Sequence, residues 1–204
     1  MIAKITALLS LACLFALPGR AAPLQFNFKD PKGVNNITFK MTAPVEKISG
    51  SGNGITGSVT FDPENPGVVK GKIILSVASL HVPNPRMKGH MHGPEWMNAA
   101  QYPEITFEVV NAQNAKTMTN VTTADVAGKL TIKGITKDIV IPVKMTYLKD
   151  RLKLREGREG DLLVLQGTFA IKRRDYGINP GKMENKVADD IQLTLSLVGS
   201  APRP

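Results

Sequence analysis

Apolar and polar residues alternate along most of the chain after residue 36. The most regular row consists of Ile139, Ile141, Val143, Met145 and Tyr147. An alternation with period two places one set of side chains on one face of a β-strand. The pattern recurs in about eight segments, near residues 37–41, 55–61, 73–77, 105–109, 130–132, 139–147, 163–171 and 191–197. It therefore predicts an all-β protein whose strands each have one apolar face.

Turn residues separate these segments. The strongest break is the run Asp-Pro-Glu-Asn-Pro-Gly at residues 62–67, and Gly134 separates two alternating rows as in a hairpin. Antiparallel strands of this kind bury their apolar faces in a sandwich or in a closed barrel. An outer-membrane barrel would turn those faces outward, but the strands lack the aromatic girdles of that class. The sequence leaves the sandwich and the barrel open.

One segment, residues 83–102, does not alternate. It contains Met87, Met91, Trp96 and Met97 among proline, glycine, histidine and asparagine residues. Met87, Met91 and Trp96 fit one side of a short helix. We predict a short helical insertion near residues 85–100 that lies across an open end of the sheet structure.

The first 22 residues have the layout of a secretory signal peptide. A charged start, an apolar run and small residues before Pro23 follow one another. We predict that residues 1–22 are removed, that residues 23–204 form a single domain, and that the protein is periplasmic or secreted. Cys13, the one cysteine, lies inside this leader, so the mature domain would fold without a disulfide.

Composition excludes several classes of site. One cysteine cannot supply the paired-cysteine zinc motifs, and no GxxxxGK[ST] or GxGxxG loop is present. His90 and His92 could share a strand face, with His81 as a third metal ligand, but Gly93 and Pro94 argue against a strand there, so we expect no metal. The net charge of +9 favours solvated loops or an anionic membrane surface, and we expect no nucleic-acid partner.

Several sequence blocks occur in a characteristic order. They are GSVTFDP at residues 57–63, HMHGPEWM at 90–97 followed by YPEITF at 102–107, GKLTIKGIT at 128–136 and FAIKRRDYGI at 169–178. In these blocks the chain resembles the YceI-like family of secreted lipid-binding proteins, over roughly residues 24 to 199. The chain departs from the family pattern at Met87 and Lys88, where the family often has Arg-Asp, and at Trp96 and Tyr176, which replace phenylalanine.

The resemblance implies an eight-stranded antiparallel, lipocalin-like barrel with a hydrophobic tunnel. It also implies a carrier of a polyisoprenoid-like or other amphiphilic lipid, without a cofactor and often a homodimer. The ligand-binding residues implied or inferred in this way are Phe39, Val59, Phe61, His90, Met91, Trp96, Phe107, Met145, Phe169, Ile171, Arg173 and Asp175. We expect Met91, Trp96 and Met97 to form a flexible lid and His90 to lie near the tunnel mouth.

Two alternatives to this binding role remain. The apolar set could simply fill the barrel as a core, which would make the protein a structural or interaction barrel. A hydrolase would need a serine beside a histidine, and no GxSxG motif is present, so we expect no enzyme. At the end of one strand, Arg173 could meet a polar or anionic head group with Asp175 orienting it, or the two could form a structural ion pair.

Overall fold

The computed structural model describes residues 23–203, and the predicted leader with Cys13 lies outside them. Ten strands and two short α-helices make up most of this part of the chain. The strands are β1 (Leu24–Asn27), β2 (Asn36–Thr42), β3 (Lys47–Gly52), β4 (Ile55–Phe61), β5 (Val69–Ser76), β6 (Glu104–Met118), β7 (Val121–Ile132), β8 (Ile135–Leu148), β9 (Gly160–Lys172) and β10 (Asp190–Pro202). The helices are α1 (Pro85–His92) and α2 (Lys153–Glu156), and 3-10 turns cover Val77–Ser79 and Arg173–Tyr176.

Eight of the strands form a closed antiparallel barrel. The ring runs β1-β4-β5-β6-β7-β8-β9-β10, and β1 returns to β10 through the pair Asn27 and Ser200. The predicted eight-stranded barrel is therefore confirmed. β2 pairs with the first half of β10 and β3 pairs with β2, so this hairpin extends the wall beyond the point of closure.

All eight alternating segments are strands, but the sequence pattern missed β1 and β3. β1 has only four residues, too few to show an alternation. β3 reads KISGSG, which has the composition of a turn. Gly50 in that strand makes room for a neighbour, because a Cβ there would lie 2.3 Å from the ring of Phe39.

One end of the barrel is filled by aromatic and aliphatic side chains. Phe26, Phe28, Phe61 and Leu163 are at most 1% exposed. The ring of Phe26 meets that of Tyr147 edge-on, with 6.3 Å between centroids, a favourable geometry for aromatic pairs. This group, the aromatic plug, closes the barrel at the end where β1 meets β10.

The opposite end is covered by α1. Asn84 caps this helix by accepting hydrogen bonds from the backbone N–H groups of Arg86 and Met87, and Pro85 occupies the first helical position. The predicted helical insertion is confirmed at residues 85–92, but Trp96 lies in the turns that follow rather than on the helix. Within residues 23–203, no helix combines the length and the hydrophobicity that crossing a bilayer requires.

Candidate functional site

Two apolar cavities lie inside the barrel, one above the other. The upper cavity has a volume of about 110 Å³ and the lower one about 100 Å³. Ile37, Leu75 and Ile105 line both, so the two are separated only by shared side chains. Apart from Arg173, every lining residue is apolar.

A third and larger space, the mouth groove, lies beside α1 and has a volume of about 470 Å³. Phe39, Met41, Met91 and Trp96 line both the mouth groove and the upper cavity. The three spaces therefore follow one another from the barrel interior to the surface. We call this row of adjacent spaces, with shared side chains between them, the tunnel; the aromatic plug lies at one end and the mouth groove beside α1 at the other.

Most of the predicted ligand-binding residues line this tunnel. Phe39, Met91, Trp96, Ile171 and Arg173 line the upper cavity, Val59, Phe107, Met145 and Phe169 line the lower one, and His90 lines the mouth groove. Phe61 instead belongs to the aromatic plug and lines neither cavity. Asp175 is exposed at the surface.

Arg173 is only 1% exposed, and its guanidinium is occupied by the backbone. It donates hydrogen bonds to the carbonyl oxygens of Ile178, Asn179, Lys182, Val187 and Ala188. A guanidinium has five N–H donors, so these five hydrogen bonds occupy all of them. All five donors thus have acceptors within the protein, and head-group binding by Arg173 stays a prediction that would require these contacts to be exchanged.

The same head-group prediction assigns Asp175 the role of orienting Arg173. No ion pair joins it to Arg173 within residues 23–203, and the carboxylates that pair with the neighbouring Arg174 are Asp189 and Glu184. Asp175 lies close enough to Tyr176 to act on its ionisation. Burial, with a smaller contribution from Asp175, raises the pKa of Tyr176 to about 12, so this phenol stays neutral at pH 7.

Arg173 also completes the tunnel wall. Its guanidinium carbon lies 5.7 Å from the centroid of the Trp96 ring, which is within the range of a cation–π contact. Trp96 is thereby fixed between the upper cavity and the mouth groove. Arg173 thus positions both Trp96 and the segment of residues 178–188.

The histidines occupy different environments. His81 pairs with Ser51 across an isolated β-bridge, and the Nε2 atom of His92 lies 3.1 Å from the carbonyl oxygen of Leu80. His90 is exposed on the rim of the mouth groove. In the described part of the chain, no three histidine, cysteine or acidic residues lie close enough to hold a metal ion.

Several lining residues were not among those predicted, although the same alternation could have revealed them. Ile37, Ile105 and Ile141 belong to the alternating rows of Phe39, Phe107 and Met145, and they line the cavities with them. Arg86 and Lys186 line the mouth groove together with Glu46, and no alternation in the sequence marks them as lining residues. They come from α1 and from the segment before β10, and the fold alone brings them together.

Comparison with known proteins places the chain in a family. The sequence profile of the YceI-like domain matches residues 30–199. A UPF0312 protein of Pseudomonas paraeruginosa is 28% identical over 156 residues, which are 74% of this chain and 73% of the relative.

Solved structures share the fold. BcnA of Burkholderia cenocepacia superposes with a TM-score of 0.66 at 23% identity, covering 80% of this chain and 95% of BcnA. A polyisoprenoid binding domain from Saccharophagus degradans superposes with a TM-score of 0.65 at 13% identity, covering 88% of this chain and 99% of that domain. At these identities the likeness is one of fold alone. The profile match covers most of the chain, and the chain therefore belongs to the YceI-like family.

Proposed function

We propose that the protein is a binding protein that holds a long apolar chain, isoprenoid-like or of another amphiphilic lipid, in the barrel interior. The observation that carries this proposal is the tunnel itself, an apolar path from the aromatic plug to the mouth groove. Burial of an apolar chain there is favourable by about 25 cal/mol per Å² of surface removed from water. The fold shared with a polyisoprenoid binding domain supports the same class of ligand.

The size of the tunnel restricts the ligand. Each interior cavity is smaller than the ~300 Å³ of a typical small-molecule pocket. A slender, flexible chain fits such a path better than a rigid ring system does. Met41, Met91, Met97 and Met145 line it, and methionine adapts to apolar chains of varied shape.

The interior lining supports binding rather than catalysis. It consists of apolar side chains and one arginine whose donors are already occupied. Such a wall offers no acid, base or nucleophile to a ligand in the tunnel. We therefore propose a carrier or sequestering protein and no enzyme.

The cellular setting belongs to the same proposal. We propose that the protein is exported to the periplasm or beyond, where it binds lipid for transport, storage or stress protection. Of the basic residues near α2, Lys153, Arg155 and Arg158 pair with carboxylates. Lys144, Lys149 and Arg151 have no ion-pair partner within residues 23–203, and they are the candidates for contact with an anionic membrane surface. We also propose that two copies of the protein form a homodimer.

Substitution of Phe169 by arginine tests the tunnel. We expect Phe169→Arg to abolish lipid retention, because a charge would enter the lower cavity. Native mass spectrometry of the protein, taken from its own compartment, measures the bound lipid. The matched control is Thr168→Arg on the outer face of the same strand, which should retain the lipid.

A second variant covers the case in which Phe169→Arg fails to fold. Phe169→Trp keeps the apolar character but takes up cavity space, and it should reduce the amount of lipid bound. Full lipid retention by folded Phe169→Arg protein would contradict the tunnel. A wild-type protein that carries no lipid and takes up no added isoprenoid would favour a filled barrel instead.

A further inference from the structure

The barrel wall opens between β8 and β9. The two strands pair only from Val143 to Leu148 and from Leu162 to Gly167. Beyond this, residues 135–142 of β8 pair with β7 alone, and residues 168–172 of β9 pair with β10 alone. A row of backbone groups on each strand therefore faces a gap in the wall rather than a neighbouring strand.

Contacts close this gap at both ends, so it is a window rather than a split seam. At one end, Val143 pairs with Gly167. At the other, the Lys133 ammonium donates hydrogen bonds to the carbonyl oxygens of Glu95 and Gly177, at 3.1 and 2.9 Å. Ile135 also lies against Gly177 there.

The inner face of β8 carries a lysine at this window. Lys137 lies opposite Leu130, which is buried and lines the lower cavity, and directly opposed residues share a face. The next pair, Lys129 and Asp138, forms an exposed ion pair at 2.9 Å on the outer face. The register therefore assigns Lys137 to the inner face of β8, in a barrel whose cavities are lined by apolar residues and Arg173.

Exposure rises along β8 as it separates from β9. Met145 and Ile141 are 2% and 4% exposed, whereas Ile135 is 39% exposed. Lys137 is also exposed. Ile139 and Phe169, which flank the window from the two strands, are partly buried. Phe169 lines the lower cavity, so the window leads to the tunnel.

The window does not suit a strand from another molecule. Pro142 has no N–H to donate, and one exposed lysine, Lys137, and one exposed aspartate, Asp138, stand along the free edge of β8. Both features protect strand edges from pairing. An amphiphile suits it better, because an unpaired cation stands beside apolar side chains: Lys137 has no ion-pair partner within residues 23–203.

We propose that the window is a lateral entrance to the tunnel and that Lys137 binds the anionic head group, a phosphate or carboxylate, of the entering amphiphile. This inference rests on the proposed lipid-binding function and assigns the head group a place. Ile139 and Phe169 would contact the first part of the apolar chain, and the head would remain at the wall. Charge-assisted hydrogen bonds at such a site are stronger than neutral ones.

Binding of farnesyl phosphate and of farnesol, measured by calorimetry, tests the inference. The two probes share a chain and differ in the head, so wild-type protein should bind the phosphate more tightly. We expect Lys137→Gln to weaken binding of farnesyl phosphate about tenfold and to leave farnesol binding unchanged. Lys137→Arg should restore the preference. Lys72→Gln is the matched control, because Lys72 is an exposed lysine of β5 whose neighbour Ile73 lines the lower cavity, so Lys72 lies on the outer face.

The mouth groove offers a rival place for the head group. If Arg86→Gln or Lys186→Gln removes the preference for the phosphate and Lys137→Gln does not, the inference is overturned. Equal losses in the Lys137→Gln and Lys72→Gln proteins would also overturn it, because they would indicate an effect of overall charge. If the wild-type protein binds neither probe, the proposed lipid-binding function itself is contradicted. This outcome differs from one in which both probes bind and only the role of Lys137 fails.

Discussion

Among residues 23–203, Arg173 is a buried charge with no carboxylate partner. The carbonyl oxygens of residues 178–188 surround its guanidinium, and Trp96 covers it. A buried ion is tolerated only when hydrogen bonds replace its lost hydration. The arginine in turn satisfies carbonyl groups of a segment that contains no strand, so it holds one wall of the mouth groove in place.

Replacement of Arg173 by lysine should therefore destabilise the protein. An ammonium has three donors and cannot reproduce the planar fork, and the carbonyl groups left without a donor cost about 3 kcal/mol of unfolding free energy. Urea unfolding, followed through the fluorescence of Trp96, measures the change. The adjacent Arg174→Lys is the control, because that side chain is 52% exposed, and it should change stability by less than about 0.5 kcal/mol. Equal effects of the two substitutions would contradict the role of Arg173.

At the residue scale, the sequence predicts which side chains face inward but not how deep they lie. Val59 and Phe61 belong to one alternating row, yet Val59 lines the lower cavity and Phe61 lies in the aromatic plug. A period of two encodes the face of a strand and not the position along the barrel axis. The partners of Arg173 were equally hidden, because backbone carbonyl groups leave no trace in a sequence pattern.

At the scale of elements, α1 is the least secured part of the tunnel. None of its residues is buried, it contains Gly89, and its N-terminus depends on the Asn84 side chain. Most helical stability in proteins comes from a packed apolar face. In α1 the packed apolar face consists only of the partly buried Met87 and Met91, so we expect the helix to open locally more easily than the barrel strands do.

Loss of the cap should open α1 without unfolding the barrel. Asn84→Ala removes about 1 kcal/mol of helix stabilisation, so the amides of residues 86–92 should exchange several-fold faster. Hydrogen exchange measured by NMR shows whether the amides of β7 and β9 keep their protection. Asn36→Ala is the control, because within residues 23–203 that half-buried side chain has one hydrogen bond, to the carbonyl oxygen of the nearby Val34. A uniform increase across the barrel would instead mean that α1 and the strands open together.

Elements were predictable where they are long and regular, and not elsewhere. β8, with 14 residues, shows a clear alternation, whereas β3 reads as a turn. Its Gly50 is required by the ring of Phe39, which lies on another strand. The window between β8 and β9 was not predictable either, because both strands keep their normal alternation through the stretch where their pairing ends.

At the scale of the whole molecule, the barrel closes where the chain between β1 and β2 meets β10. Asn35 is buried and donates hydrogen bonds to the carbonyl oxygens of Phe28 and Val198, both at 3.0 Å, and it accepts one from Val198 N–H at 2.8 Å. Asp30 orders the preceding turn by accepting hydrogen bonds from three backbone N–H groups, and it pairs with Arg155 of α2 at 2.9 Å. Closure thus depends on two polar side chains in addition to the aromatic plug.

The ionisation of the Asp30 carboxyl group should make this closure of the barrel sensitive to acid. Burial alone would raise the pKa of Asp30, but the backbone N–H groups of Asn35, Lys32 and Val34, together with Arg155, hold it below the ordinary value of 3.8. The unfolded chain therefore takes up this proton at a higher pH than the folded protein does. The stabilisation is present in full above the unfolded value and is lost as the pH falls through the lower folded value.

Urea unfolding of wild-type protein and of Asp30→Asn, at several pH values from 7 down to 3, tests this expectation. The variant should be less stable at pH 7, and the difference should shrink as the pH falls below about 4. Asp138→Asn is the control, because Asp138 is 82% exposed in its pair with Lys129 and should matter little at any pH. A difference between wild type and Asp30→Asn that stays constant down to pH 3 would mean that the shape of the turn, rather than the charge of Asp30, secures the closure.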